Sequence, residues 1–339
     1  MEIEKKYMQR CIQLAYWGLG SVSPNPMVGA VIVCDGKIIG EGYHRQWGGP
    51  HAEVYAVGSV KEPELLKRST LYVSLEPCSH YGKTPPCAAL ILEKQIPRVV
   101  IGMQDPFPQV SGNGIRMLRD AGVEVYCGLM KEECEELNKR FLTYFCKNRP
   151  YVFLKWAQSE DGFLDAKREY GDDRTAVRLS GPFSLMRNHK KRSEEDAILV
   201  GTRTALLDNP SLNVRYWKGR NPVRVVIDRK KIIPEGFHLS DGTQETWVLP
   251  EDHPDAGTWP VSRILDFLYE RKVHSVIVEG GAQLLGSFLR EGVWDEAWVE
   301  TVPLLLGSGV VAPETEGSLV KTELRGRAVL SVYNNIVIH

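Results

Sequence analysis

Three potential metal ligands and one carboxylate lie in two short segments near the N-terminus. His51-Ala52-Glu53 is followed by Cys78 and, after eight intervening residues, by Cys87. Zinc binds imidazole nitrogen and thiolate sulfur, and a catalytic zinc keeps its fourth position for a water whose pKa falls to about 7. We therefore predict that His51, Cys78 and Cys87 hold one zinc ion per chain. Glu53 would transfer protons, as the glutamate that does not bind the metal does in a hydrolytic zinc deaminase.

Two other uses of these residues stay open from the sequence. A structural zinc would need a fourth ligand, which His44 or His80 could provide, although structural sites usually contain a closer cysteine pair. A disulfide between Cys78 and Cys87 is the second alternative. The chain has seven cysteines, all in its first half, and residues 1–20 show helical spacing instead of a signal-peptide core. The odd number and the missing leader predict a reducing, cytoplasmic compartment.

Length and charge restrict the classes of function. The chain has 339 residues, about two domains by the usual size of a domain. Its 42 basic and 43 acidic residues give a net charge of −1, so there is no excess positive field to hold a nucleic acid. Apolar runs are too short to span a bilayer, and we expect no membrane partner.

Alternating strands and helices must position the ligands. Strands are predicted at 28–34, 37–43, 70–75, 98–103 and 123–126, and helices at 51–60, 86–94, 112–121 and 131–147. Asp35-Gly36 between the first two strands is typical of a type I′ hairpin. The pattern predicts a largely parallel sheet covered on both faces, with His51 and Cys87 at helix N-termini that point towards the metal.

A second pattern begins after Asn148-Arg149-Pro150, where we place the domain boundary, because the residue before a proline disfavours helix. Strands are predicted at 151–156, 197–201, 223–228, 246–249 and 275–279, and helices at 182–192, 261–271 and 282–290. Gly280-Gly281 separates a strand from a helix, where bare amides can bind a phosphate, and a tight packing turn is the alternative. Residues 155–162 and 204–210 are predicted to be exposed polar loops.

Together these segments resemble the bifunctional riboflavin biosynthesis pyrimidine deaminase/reductase family almost from end to end. The markers are Ser23-Pro24-Asn25-Pro26, Gly42-Tyr43-His44, His51-Ala52-Glu53, Leu75-Glu76-Pro77-Cys78-Ser79-His80, Gly82-Lys83-Thr84-Pro85-Pro86-Cys87, Asp105-Pro106, Pro108-Gln109-Val110 and Leu137-Asn138-Lys139. The resemblance implies an α/β protein with a cytidine-deaminase-like three-layer domain at 1–147. A dihydrofolate-reductase-like α/β domain would follow at 151–339.

The resemblance also implies two reactions. The first is zinc-dependent hydrolytic deamination of 2,5-diamino-6-ribosylamino-4(3H)-pyrimidinone 5′-phosphate. The second is NADPH-dependent reduction of the ribosyl group of 5-amino-6-(5-phosphoribosylamino)uracil to ribityl. We expect these phosphorylated pyrimidines as the small-molecule partners, and a homo-oligomer, a dimer or a tetramer, as the assembly.

The resemblance assigns roles residue by residue. Deaminase substrate contacts are implied at Asn25, His44, His80, Lys83 and Asp105. Cofactor contacts are implied at Gln158, Thr204, Asp208, Gly281, Ala282, Gln283, Leu284, Leu285, Gly286 and Ser287. Reductase substrate contacts are implied at Lys155, Arg192, Leu212, Arg215 and Glu279.

Departures from the family pattern lie mostly in the second half. Phe107 stands where asparagine is frequent, Glu160 replaces an apolar residue, and Arg178 lies nearest to the position of the usual tryptophan. An active deaminase with a degenerate reductase domain is therefore the alternative. A nucleic-acid base deaminase is disfavoured by the balanced charge, and a binding module on an inactive deaminase fold by the complete set of ligands and glutamate.

Overall fold

The chain forms two compact units, Met1–Asn148 and Arg149–His339, in a computed structural model. The structure describes residues 3–80, 85–107, 111–172, 175–249 and 259–335. No helix in these ranges is both long enough and apolar enough to cross a membrane. Each unit is built around its own main sheet.

The first unit contains five strands and six α-helices in its described part. They are α1 (Lys5–Ala15), β1 (Gly29–Cys34), β2 (Lys37–Tyr43), α2 (Ala52–Gly58), β3 (Thr70–Leu75), α3 (Cys87–Glu93), β4 (Arg98–Met103), α4 (Asn113–Asp120), β5 (Glu124–Cys127), α5 (Lys131–Leu137) and α6 (Lys139–Lys147). The strand order is β2-β1-β3-β4-β5. β3, β4 and β5 are parallel, whereas β1 is antiparallel to both of its neighbours. The sheet is thus mixed, because a hairpin opens it, and the predicted largely parallel sheet is correct only for its second half.

Helices cover both faces of this sheet. Side chains alternate across a strand, so neighbouring residues of β1 point to opposite faces. Ala30 and Ile32 pack in one apolar cluster with residues of α2, α3 and α4, and Val31 and Val33 pack in another with α1 and α5. The predicted three layers follow from this alternation. The hairpin turn is also as predicted, since Asp35 (φ 50°) and Gly36 (φ 72°) both have the positive φ that a type I′ turn requires.

The single helix predicted at 131–147 is wrong. Two helices meet at Asn138, whose backbone leaves the helical region (φ −105°, ψ 21°). The Asn138 side chain instead accepts a hydrogen bond from Met27 N (2.8 Å) and donates one to Met27 O (3.0 Å). A buried bond to a residue 111 positions away outweighs the local periodicity, which alone could not reveal it.

The second unit contains the remaining elements. They are β6 (Tyr151–Ser159), β7 (Phe163–Asp165), α7 (Pro182–Glu194), β8 (Ala197–Gly201), α8 (Thr202–Asp208), β9 (Val223–Ile227), β10 (Thr246–Leu249), α9 (Val261–Glu270), β11 (Ser275–Glu279), α10 (Ala282–Arg290), β12 (Glu296–Val302), β13 (Val310–Val311), β14 (Ser318–Arg325) and β15 (Ala328–Asn334). The main sheet has the order β10-β9-β8-β11-β6-β12-β15-β14. Its first six strands are parallel, and β15 is antiparallel to both of its neighbours.

Two apolar layers sandwich this sheet, since α9 and α10 pack on one face and α8 on the other. Both predicted loops need correction. β6 continues to Ser159, so most of 155–162 is strand, and most of 204–210 belongs to α8. The sequence reading also missed β12, β14 and β15. Because six strands of this sheet are parallel, their carboxyl ends lie at the same edge, where ligands of such sheets usually bind.

Candidate active sites

Three metal-ligand atoms converge at one end of the first sheet. His51 caps the N-terminus of α2, Cys87 is the first residue of α3, and Cys78 follows β3. The three ligand atoms lie within 4.8 Å of one another. His51 Nδ1 is 3.6 Å from Cys78 Sγ and 3.3 Å from Cys87 Sγ. The structure therefore brings the three predicted ligands together, although they are up to 36 residues apart in the sequence.

These distances fit a tetrahedral zinc. Zn–N bonds of about 2.0 Å and Zn–S bonds of about 2.3 Å at a tetrahedral angle place nitrogen and sulfur about 3.5 Å apart. The group contains three ligands among the residues that the structure describes, which is the number of an open catalytic site. All seven cysteines are free, so the disulfide alternative is not what the structure shows.

Hydrogen bonds among the three ligand residues shift their pKa values. The hydrogen bond from the Cys87 thiol lowers the pKa of Cys78, against the opposing effect of burial, and the Cys87 backbone amide (3.2 Å) also donates to Cys78 Sγ. The hydrogen bond with Cys78 raises the pKa of His51 to about 9. A lowered pKa favours the thiolate, the form of cysteine that binds metal.

Glu53 lies in the first turn of α2, and only 3% of it is exposed. Burial raises the pKa of this carboxyl, and the neighbouring His51 opposes the increase. A raised pKa brings a carboxylic acid closer to neutrality, where it can both accept and release a proton. Its position two residues after His51 places it beside the ligand cluster.

His44 and Asn25 form a preorganised pair beside the ligands. His44 Nε2 is 3.0 Å from Asn25 Nδ2, and His44 Nδ1 is 2.9 Å from Pro50 O. Since a carbonyl only accepts, we assign the proton to Nδ1, and Nε2 accepts from the Asn25 amide. Burial lowers the pKa of His44, which keeps the ring neutral. Both ring nitrogens of His44 are thus occupied, which argues against His44 as a fourth zinc ligand.

The loop after β4 brings Asp105 to the same end of the sheet. Burial raises the pKa of Asp105, and the nearby His80 opposes the increase. Asp105 Oδ1 accepts from Phe107 N (2.8 Å), so the carboxylate is held in one orientation. His80 is exposed, and Lys83 lies outside the described residues, so its predicted contact with substrate stays a prediction.

Glu76 ties this loop to the ligand-bearing strand, a function that the sequence reading missed. Its buried carboxylate accepts four backbone N–H groups: Asp105 (3.2 Å) and Gly112 (3.0 Å) at Oε2, Gly114 (2.9 Å) and Ile115 (3.2 Å) at Oε1. A carboxylate there also stabilises the N-terminus of α4. The N-terminal turn of α4 lies in close contact with the segment after β3, since a Cβ on Gly114 would be only 2.0 Å from Pro77 O.

In the second unit, three predicted substrate residues meet across α7 and the sheet. Lys155 on β6 pairs in register with Glu279 on β11. Arg192 on α7 donates to both oxygens of Glu279, at 2.9 and 2.7 Å. Burial alone would raise the pKa of Glu279, but the Arg192 guanidinium overrides it and lowers the pKa to about 2. Glu279 is therefore ionised, and its partner holds it in place.

The other two predicted substrate residues lie on the loop after α8. Leu212 is buried, with a positive φ of 50°. The Arg215 guanidinium donates to Asn213 Oδ1 at 2.9 Å, and its side chain is otherwise close to the exposed Tyr216. Arg192 joins this loop to Glu279, since it also donates to Asn213 O (3.3 Å).

The predicted cofactor residues gather around α8 and α10. Gly281 caps the N-terminus of α10, and Gly281 N donates to Thr204 Oγ1 on α8 (3.1 Å). Residues 282–287 form the first turns of α10. Gln158 lies on β6, where its side chain accepts from Trp156 Nε1 (2.8 Å). The structure therefore brings Thr204 and the glycine turn into contact, and places Gln158 on a neighbouring strand.

Asp208 has a partner that the sequence reading missed. Arg168, only 5% exposed, donates to Asp208 Oδ1 (2.7 Å) and Asp165 Oδ2 (2.5 Å). Arg168 lies in the segment with the departures from the family pattern, and it fastens that segment to α8. No pattern of spacing identifies such a bridge, because Arg168 and Asp208 are 40 residues apart.

Sequence comparisons cover both units. The profile of the cytidine and deoxycytidylate deaminase zinc-binding region matches residues 1–103, and that of the RibD C-terminal domain matches residues 150–338. The chain is 41% identical over 331 residues to the riboflavin biosynthesis protein RibD of Bacillus amyloliquefaciens, covering 92% of this chain and 87% of that protein. The chain belongs to the RibD family. RibD of Aquifex aeolicus is 38% identical over 325 residues, covering 91% and 89% of the two chains.

Solved structures agree with this membership. A diaminohydroxyphosphoribosylaminopyrimidine deaminase/5-amino-6-(5-phosphoribosylamino)uracil reductase of Thermotoga maritima is similar with a TM-score of 0.87 and 38% identity, covering 98% of each chain. RibD of Acinetobacter baumannii gives a TM-score of 0.86 and 32% identity, covering 97% of this chain and 98% of that one. The predicted fold class is confirmed. As a RibD protein, the chain is a bifunctional riboflavin biosynthesis deaminase/reductase, and the comparisons give no support to a degenerate reductase.

Proposed function

We propose that this chain carries out two specific steps of riboflavin biosynthesis. The first is zinc-dependent hydrolytic deamination of 2,5-diamino-6-ribosylamino-4(3H)-pyrimidinone 5′-phosphate. The second is NADPH-dependent reduction of the ribosyl group of 5-amino-6-(5-phosphoribosylamino)uracil to ribityl. The observation that carries the first step is the His51, Cys78 and Cys87 cluster beside a buried Glu53. We assign the deamination to residues 1–147 and the reduction to residues 151–339.

The donor set of the first site suits zinc, and His51, Cys78 and Cys87 would hold it. Zinc there would lower the pKa of a water to about 7 and so supply a nucleophile at neutral pH. Glu53 takes up the proton that the attacking water loses and delivers it to the departing ammonia. Its raised pKa suits both transfers.

Polar groups around the cluster would orient the pyrimidine. The Asn25 amide is fixed by His44 and can hydrogen-bond the ring edge, and the Asp105 carboxylate can accept from its amino groups. His80 and Lys83 would bind the phosphorylated ribose. The cost of ordering Asn25 and Asp105 falls on folding and not on substrate binding, because each is already held by a protein group.

In the second site, NADPH would supply a hydride to the ribosyl carbon. Bare amides at the N-terminus of α10, beginning at Gly281, favour the cofactor phosphates, and Thr204 holds the turn. Gln158 and Asp208 would complete the cofactor contacts. Lys155, Leu212 and the Arg192–Glu279 pair line the proposed substrate side, where Arg215 would bind the 5′-phosphate.

One coupled assay tests both steps. The wild-type protein, given the diaminopyrimidine substrate and NADPH, should oxidise NADPH, because the first product feeds the second site. Glu53→Gln should keep about one zinc per chain but lose deamination by about 10²-fold or more, since the amide cannot carry protons. Cys78→Ser should lose the zinc as well. Both variants should still oxidise NADPH when the deaminated substrate is supplied directly.

Three results would contradict the proposal. Near-normal deamination by Glu53→Gln would remove Glu53 from the chemistry, and full zinc retention by Cys78→Ser would refute the ligand assignment. Failure of the wild-type protein to oxidise NADPH with the deaminated substrate would refute the second step.

A further inference from the structure

The segment from Ser211 to Arg215 has an unusual backbone that needs external support. Leu212 adopts φ 50°, in the left-handed region, although it is a bulky residue without the freedom of glycine. Such a conformation is strained for a residue with a Cβ and persists only where the surroundings impose it. Strain of this kind is frequent at ligand-binding sites, and here it must be imposed by the groups that contact the segment.

Two side chains of α7, the buried His189 and the partly buried Arg192, bind this segment. Arg192 Nη1 donates to Asn213 O at 3.3 Å, and Arg215 N donates to His189 Nδ1 at 3.1 Å. His189 and Arg192 are three residues apart, so they lie on the same face of the helix. The segment is therefore fastened on both sides of Val214, through a backbone carbonyl and a backbone amide.

His189 can play this part only as a neutral ring. Its Nδ1 accepts the Arg215 amide, so that nitrogen cannot carry a proton. The charged groups facing the ring are the guanidinium groups of Arg192 and Arg215 and the carboxylate of Glu279. The ring is 2% exposed and packs edge-on against Tyr216, with centroids 4.8 Å apart. A cationic side chain at position 189 would add a third positive charge to this enclosure.

We propose that His189 is a positioning residue of the reductase site, which fixes the backbone of Arg215 and thereby directs its guanidinium to the substrate 5′-phosphate. The inference rests on the proposed function of Arg215 and deepens it. His189 itself need not touch the substrate. Its effect should appear in the affinity for the phosphorylated substrate and not in the affinity for NADPH, because the proposed cofactor contacts lie on other elements, β6, α8 and α10.

Two substitutions separate positioning from packing. His189→Leu keeps a side chain of similar volume but removes the hydrogen-bond acceptor. His189→Asn places an amide oxygen near the position of Nδ1 and should restore the bond. The matched control is His274→Leu, since His274 is also a buried histidine of this unit but precedes β11, at the opposite end of the strand from Glu279.

The readout is the KM for each substrate of the reduction, measured with the deaminated phosphorylated substrate supplied directly. We expect His189→Leu to raise the KM for that substrate about tenfold, the equivalent of one hydrogen bond of about 1.4 kcal/mol, with the KM for NADPH unchanged. His189→Asn should stay within about threefold of the wild type, and His274→Leu should leave both KM values unchanged. With a substrate that lacks the 5′-phosphate, wild type and His189→Leu should be equal.

Several outcomes would overturn the inference. A wild-type KM in His189→Leu would show that the bond does not matter. Equal losses in the Leu and Asn variants, or a loss that persists without the phosphate, would show a packing role. Arg215→Ala distinguishes a failure of the proposed function: if it leaves the KM for the phosphorylated substrate unchanged, Arg215 does not bind the phosphate, whatever His189 does.

Discussion

Glu76→Gln should destabilise the first unit far more than the loss of one charge suggests. The Glu76 carboxylate accepts four backbone N–H groups, two at each oxygen. Glutamine has the same shape but only one oxygen, so its NH2 group would face two of these N–H donors. Those two amides lose their acceptor in a buried position, and the other two keep a neutral acceptor in place of a charged one.

The expected loss can be worked from these four bonds. A buried donor left without a partner costs about 1–3 kcal/mol, and a charged acceptor contributes about 1 kcal/mol more per bond than a neutral one. Two of each give a loss on the order of 4–8 kcal/mol, comparable to the whole stability of many domains. At about 2 kcal/mol per molar urea, the unfolding midpoint should fall by about 2 M or more.

The assay is urea denaturation of the zinc-loaded protein, followed by zinc release and by deaminase activity. Reductase activity in the same samples serves as an internal reference. The matched control is Glu124→Gln on β5, because Glu124 is exposed and its ion pair with Arg98 (2.7 Å) is worth at most about 1 kcal/mol. A midpoint for Glu76→Gln within about 0.3 M of the control would refute the reasoning, since the four bonds would then contribute little.

Two further predictions concern the second unit. Gly281→Val should raise the KM for NADPH about tenfold or more and leave deamination intact, because a branched side chain blocks the approach of the cofactor phosphates. Gly281→Ala should raise the KM for NADPH less and should fold normally, since Thr204 Oγ1, at 3.8 Å, is the one atom of the described residues that a Cβ there would contact. A normal KM in the Val variant would contradict the cofactor site. Burial lowers the pKa of both His189 and His274 to about 4. Between pH 6.5 and 4 the unfolded chain therefore binds protons that the folded unit does not. As the pH is lowered through that range, the free energy of unfolding should decrease by at most about 3 kcal/mol per ring. A thermal unfolding midpoint that is the same at pH 7 and pH 4.5 would contradict this prediction.

Local signals were sufficient for most of the framework. Continuous runs of β-branched and aliphatic residues, such as Ala197–Gly201, mark strands buried on both faces, because each residue meets an apolar layer. Asp35-Gly36 selects its turn because both residues tolerate positive φ. The types of His51, Glu53, Cys78 and Cys87 already limit the chemistry, since zinc accepts few ligands and hydrolysis needs a proton carrier.

Contacts between distant residues were decided only by the tertiary structure. Asn138 ends a helix because its side chain hydrogen-bonds to the backbone of Met27. The residues adjacent to either one in the sequence do not predict this contact. The same holds for three polar residues that hydrogen-bond to residues far away in the sequence, Glu76, Arg168 and His189. Each is of a type that is also common on protein surfaces, so its identity alone does not predict burial. Their function depends on burial, which makes each hydrogen bond strong and each unpaired partner costly. Periodicity specifies which face of a helix or strand is apolar. Which polar side chain can be buried among those apolar residues depends on the hydrogen-bond partner that a distant element supplies, and only the tertiary structure shows that partner.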